Sequence, residues 1–148
     1  KSQDYYFLKS LIFKNLRKKD SIIYNSYKFL NFNKTSPSTE KNKIAIFNIL
    51  ANLYNENNEI DSAFIYHDKS LALRRTIGFK DGIAISTIKM AEIEFLRNKP
   101  RSAKLYALES LKISQEIGFP RNIIKASKLL SEIYEVENNE IVKVTFVN

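Results

Sequence analysis

No cysteine occurs in the 148 residues, which excludes disulfides and thiolate metal sites and leaves the redox compartment open. There is one histidine, His67, and a bound metal would want more His or Cys ligands than a single imidazole. No apolar run approaches the roughly 18 residues of a membrane span, and no signal-peptide pattern opens the chain. This segment is therefore expected to make no membrane contact of its own. The chain opens on Lys1 rather than methionine, which points to a start lying further upstream, so a missing leader says little about the intact protein. Gly-rich phosphate loops, nucleophile elbows and metal-ligand spacings are also lacking. Glu92 and Glu94, two apart on a helical segment, point to different faces and cannot form a carboxylate pair. These absences lead us to expect no enzyme, no cofactor and no metal.

Glycine and proline are scarce, three of each, and all six act as punctuation. Gly78 and Gly118 fall where helices should end, because glycine accepts the left-handed conformation that closes a last turn. Gly82 follows the first of them. Pro37, Pro100 and Pro120 fall where helices should begin, since a first turn has no use for the missing N–H. Ser36 is placed to cap the helix that Pro37 opens. Asn58, Asn98 and Asn138 mark the other breaks, where asparagine can stand in for glycine.

What is present is a repeat. Residues 70–79 read SLALRRTIGF and residues 110–119 read SLKISQEIGF, forty residues apart. At the same offset Leu50-Ala51 falls on Met90-Ala91 and Leu130-Ser131, and Ala63 falls on Ala103. A period of this size with turn residues in step marks a stacked array. Apolar residues between the breaks follow the three-and-four step of helices, as in Ile44, Phe47, Leu50, Ala51 and Tyr54. We read helices at about 3–17, 20–32, 38–56, 60–76, 81–97, 101–116 and 121–136, bounded to within about two to four residues. His67 falls in a second helix where a packing aromatic is usual, which makes it structural.

The pattern resembles tetratricopeptide repeats, in a 40-residue form rather than the commoner one of about 34. Phe47 holds the large first-helix position, Leu50-Ala51 the Leu-Gly/Ala pair, Tyr54 the tyrosine, Asn58 the turn glycine and Ala63 the second-helix alanine. Met90, Ala91, Asn98 and Ala103 match in the next repeat, with Glu94 replacing the tyrosine. The resemblance implies an all-α fold, a right-handed α-solenoid of stacked antiparallel helix hairpins. About three and a half repeats make one domain over 1–148, divided as 1–40, 41–79, 80–119 and 120–148. The core is expected to include Leu50, Ala51, Tyr54, Ala63, Leu71, Met90, Ala91, Ala103 and Leu111. The first repeat is degenerate, with Ile22 where alanine belongs. In the last, Lys143 takes the alanine position and β-branched residues follow, so residues 139–148 are expected to be extended. The apolar side of 121–136, with Ile124, Leu129, Leu130, Ile133 and Tyr134, should then lack its intramolecular cover and be buried by a second copy or a further segment.

First helices of such arrays line a concave groove. Asn48, Asn52 and Asn55 match groove positions, and an amide row can pair with an extended peptide backbone. Solvated asparagines in an asparagine-rich chain are the equally weighted alternative. The same face continues through Ile88, Glu92 and Phe95 to Lys128 and Glu132. Glu92 would repel a carboxylate where the clamp of chaperone cofactors needs an amide or a cation, which argues against that subfamily.

Net charge is +8, of which residues 1–40 carry +5, with a cluster at Lys14, Arg17, Lys18 and Lys19. Such a cluster is either a patch for an anionic partner or a solvated helix end, and the second is favoured because basic residues suit a last turn. The expected function is thus a non-catalytic protein-interaction or sensing module. Its repeats resemble those of bacterial sensor histidine kinases and transcriptional regulators, with a protein or peptide partner and self-association through the last repeat. The compartment would be cytoplasmic, or extracytoplasmic if the segment is the sensor of a membrane kinase. A basic helical array binding nucleic acid is the alternative, and steep salt dependence would mark it.

Overall fold

The computed structural model describes residues 1–147. Asn148, the end of the expected extended tail, lies outside them, as do the side chains of Val142, Val144, Phe146 and Val147. Seven helices account for the described residues, with no strand among them: α1 (Gln3–Asn15), α2 (Lys19–Leu30), α3 (Pro37–Glu56), α4 (Ile60–Ile77), α5 (Lys80–Leu96), α6 (Pro100–Ile117) and α7 (Pro120–Val147). The sequence places their starts and most of their ends within two residues.

Five helices end in the same way. Arg17, Asn58, Gly78, Asn98 and Gly118 all have left-handed backbones, with φ of 52°, 61°, 75°, 60° and 67°. In each case the next amide reaches back five residues: Lys18 N to Phe13 O (3.0 Å), Glu59 N to Tyr54 O (2.8 Å), Phe79 N to Arg74 O (3.1 Å), Lys99 N to Glu94 O (2.9 Å) and Phe119 N to Ser114 O (2.8 Å). This satisfies carbonyls that a helix end would leave bare. At the start of α3, Ser36 Oγ accepts from Thr39 N (3.1 Å) and Thr39 Oγ1 accepts from Ser36 N (2.7 Å). Such a capping box contributes about 1 kcal/mol.

Contacts divide the chain into two compact units, Lys1–Leu73 and the remainder from Arg74, where the sequence reads as one array. In the first unit Ile22, Phe29, Ile46, Ile49 and Leu50 form the core, and Tyr6, Phe7, Leu11, Phe13 and Tyr54 pack against it. Small residues sit where helices pass closely. Ala51 and Ala63 are fully buried, and the first hairpin uses serines instead. Ser10 Oγ donates to Tyr6 O (3.0 Å), and Ser26 Oγ donates to Ser10 Oγ (3.3 Å). The hydroxyls thus enter the core already paired, as buried polar groups must. Ile22 is buried, so the first hairpin accommodates a large residue where the others carry alanine.

In the second unit Ile88, Ala91, Ala103, Ala107, Ala126, Leu129, Leu130 and Ile133 form the core, with Phe95, Tyr106 and Leu111 against it. One polar junction repeats here in two forms. Arg74 Nη1 donates to Gly82 O and to Ser86 Oγ, both at 2.8 Å. Burial pushes the Arg74 guanidinium pKa down from its usual value. Forty residues on, the same three positions are Ser114, Asn122 and Ala126. There Asn122, only 3% exposed, donates from Nδ2 to Ser114 Oγ (2.7 Å), Ser110 Oγ (2.8 Å) and Ala84 O (3.3 Å).

Two expectations for the last repeat fail. The helix of 121–136 does not give way to an extended tail but continues to Val147. Asn138 makes no left-handed turn and stays helical within α7. Lys104 Nζ of α6 holds Glu137 Oε1 at 3.0 Å, and Thr145 Oγ1 donates back to Ile141 O (2.9 Å), a bond that a helical threonine makes. β-propensity is a weak prior that such contacts override. Nor does the apolar side of α7 lack cover. Leu129, Leu130 and Ile133 are buried in the core formed with α5 and α6. Ile124, at 67%, and Tyr134 are the residues of that predicted set left exposed.

Candidate partner-binding site

The first unit has a cavity of about 650 Å³ where the α1–α2 turn meets the C-terminal half of α3. Lys14, Arg17 and Lys19 line one side, and Asn52, Asn55, Glu56 and Asn57 the other. Ile22, Ile49 and Leu53 contribute apolar wall. Two features read separately in the sequence, the basic cluster and the asparagine row, are therefore neighbours.

Local chemistry positions each group. Helix α1 stops at Asn15, two residues earlier than its apolar spacing suggests, because Arg17 turns left-handed. That conformation costs a residue with a Cβ roughly 1–2 kcal/mol, which the other four such turns avoid with glycine or lessen with asparagine. It brings Lys19 into the first turn of α2, where Nζ meets Glu59 Oε1 at 3.3 Å. Asn57 Nδ2 donates to Leu53 O (2.6 Å), fixing that end of the wall. Asn52 and Asn55 are exposed, whereas Lys18 projects from the turn without lining the cavity.

Other residues of the predicted row are placed differently. Asn48 is half-buried and accepts a hydrogen bond from Ser70 Oγ of α4 (2.9 Å), so it belongs to packing. In the second unit Ile88, at 2% exposure, is a core residue and has no surface to offer a partner. Phe95 packs against the same core. Glu92 is half-exposed and meets Lys89 Nζ at 3.4 Å, and Lys128 and Glu132 are exposed on α7. Spacing alone gives a face of a helix without saying which neighbour takes it, and Ile88 and Asn48 fall on the side that packs. Glu94 is buried and paired with Arg97 at 2.7 Å, so Glu92 and Glu94 do serve different faces. His67 is buried in α4. No group of three or more His, Cys, Asp or Glu among the described residues could hold a metal ion, and no helix there is long and apolar enough to cross a membrane.

Sequence reasoning missed a tyrosine cluster in the first unit. Tyr27 of α2 brings its hydroxyl to that of Tyr66 (2.6 Å) and of Tyr54 (3.2 Å), while the Tyr54 and Tyr66 rings stack at 5.6 Å. The hydrogen bond to Tyr27, followed by burial, pushes the Tyr54 phenol up to about 12. Burial first, then the same partner, raises that of Tyr66. Tyr54 and Tyr66 lie on recognisable packing stripes, but nothing in the spacing of α2 announces Tyr27 as their partner.

No family model and no curated protein sequence matches the chain. Among solved structures, the crystal structure of BtubC (BKLC) from P. vanneervenii is similar, with a TM-score of 0.70 at 19% identity. The match covers 86% of this chain and 54% of that one, so this chain spans about half the length of that structure. At such an identity the likeness concerns the fold, an all-helical, helical-repeat architecture.

Proposed function

We propose that the chain is a non-catalytic protein-interaction module of tetratricopeptide type, which binds an extended peptide segment of a partner. The observation that carries this reading is the cavity of the first unit, where the exposed amides of Asn52 and Asn55 face the cations of the α1–α2 turn. An amide offers both donor and acceptor, which suits a peptide backbone. Sequence resemblance to the repeat regions of bacterial sensor kinases and regulators supports a place in a larger signalling protein. Reading the gene on both sides for a membrane span, kinase motifs or a helix-turn-helix tests that context.

The binding reading is tested on an array of immobilised extended octapeptides of varied composition. A subset should retain the protein, and the double change Asn52→Ala with Asn55→Ala should weaken retention while leaving the unfolding midpoint unchanged. Retention of no peptide, or a loss of stability in place of a loss of binding, would overturn it.

A further inference from the structure

We infer that the cavity recognises carboxylates, so that its occupant is an acidic peptide segment whose Asp or Glu side chains meet Lys14 and Arg17 while Asn52 and Asn55 pair with its backbone. The inference rests on the interaction reading above and names the chemistry of the partner. Of the three cations on the wall, Lys19 is already held by Glu59. Lys14 and Arg17 have no such carboxylate among the described residues and are exposed at the mouth of the cavity. A cavity of this size matches the range of about 300–1,000 Å³ common to ligand pockets.

Arg17 gives an independent reason. At the four equivalent turns the left-handed residue is Gly78, Gly118, Asn58 or Asn98, each suited to that backbone. Of the two turns that border the cavity, the α3–α4 turn uses Asn58, but the α1–α2 turn carries an arginine, a strained choice of the sort that collects at binding sites. A planar guanidinium pairs with a carboxylate through two parallel hydrogen bonds, which glycine or asparagine could not supply. Glu56 in the wall and Glu59 on Lys19 decide between anionic partners. Fixed carboxylates repel every anion, but most strongly a run of phosphates with a charge on each unit. An alternating acidic peptide is less densely charged and presents N–H groups from which Glu56 can accept. The geometry therefore favours a peptide over nucleic acid.

The test is fluorescence anisotropy on the full 148-residue chain with three labelled probes. They are an octapeptide alternating Glu with Ser, its Gln counterpart, and a single-stranded mixed-sequence DNA of matching charge. The Glu peptide should bind best and weaken as salt rises. Replacing both cations, Lys14→Gln with Arg17→Gln, should cost about fivefold to tenfold in its affinity. Lys34→Gln, on the exposed α2–α3 connection, should leave it unchanged. Arg17→Gly separates recognition from folding, because it should raise the unfolding midpoint while lowering affinity for the Glu peptide. Equal binding of the Gln and Glu peptides would overturn the carboxylate inference and leave the interaction reading standing. Tighter binding of the DNA, lost in the same variants, would overturn it in favour of phosphate recognition. Failure of the Glu peptide to bind at low salt would overturn the carboxylate inference too, and the interaction reading would then stand or fall on the varied peptide array.

Discussion

Replacing Asn122 with alanine removes an amide that serves three acceptors from inside the second unit. Ala84 O keeps the Ser110 hydroxyl at 2.8 Å and that of Thr87 at 3.1 Å, so it stays satisfied. Ser114 Oγ, by contrast, loses the donor at 2.7 Å. Two short hydrogen bonds at about 1 kcal/mol each, with a further ~1 kcal/mol for the space left by the amide, give a loss of about 3 kcal/mol. Asn122→Asp keeps the shape but replaces both N–H groups by oxygen, which faces the Ala84 carbonyl without a proton to share. Burial raises the pKa of such an acid above its unfolded value of about 4. The folded state then holds the proton longer than the unfolded one, so this variant should be least perturbed at low pH and lose stability as pH rises above about 4. Urea unfolding followed by circular dichroism reads both effects. A cycle with Ser114→Ala should return a coupling of about 1 kcal/mol, because the two changes delete one bond between them. An Asn122→Ala variant within about 0.5 kcal/mol of the parent, or strict additivity with Ser114→Ala, would refute this account of the junction.

Gly118→Ala should cost about 1 kcal/mol through the backbone alone, since φ is 67° and an added Cβ would meet nothing within 4 Å. Gly118→Asn should cost less in the same urea titration. Tyr27→Phe removes the largest cause of the Tyr54 shift, so phenolate absorbance should show that group returning from about 12 towards its ordinary 10. A raised folded pKa means that Tyr54 stabilises the fold fully below pH ~10 and loses that contribution as pH climbs to about 12. The parent should therefore lose stability across that window more steeply than Tyr27→Phe.

Much of this fold could be read from punctuation. Gly78, Gly118, Asn58 and Asn98 announce their left-handed turns by residue type, and the 40-residue offset between them sets the helices in step. Arg17 makes the same turn without any such signal, because the backbone conformation there is imposed by tertiary context on a residue that does not prefer it. The tail departs from its residue preferences for a related reason. Ile141, Val142, Val144 and Thr145 weakly favour strand, but a helix already packed on α6 extends at little cost, since nucleation is behind it. The candidate site was legible only in parts. Asn52, Asn55, Lys14, Arg17 and Lys19 could each be named, but their meeting across the corner of α1, α2 and α3 depends on chain reversal at Arg17. The repeat pattern alone leaves Leu129 and Leu130 without a second helix to cover them, whereas α5 and α6 suffice to bury them.

The paired junctions at Arg74–Gly82–Ser86 and Ser114–Asn122–Ala126 restrict how such an array can change through descent. A Cβ at position 82 would lie 2.5 Å from Phe79 Cδ1 and 2.9 Å from Arg74 Cδ, so asparagine enters there only if both of those side chains shift. Losing the arginine first leaves Ser86 Oγ without the donor that now reaches it at 2.8 Å. Either order passes through a weakened intermediate, although both end states are well packed. Neighbouring repeats of one chain thus occupy separate peaks, and single substitutions do not readily carry one into the other. Duplication and transfer of a whole segment across positions 70–86 or 110–126 moves the matched set together. The two junctions would then persist as lineage marks of their repeats, even as the surface residues around them drift.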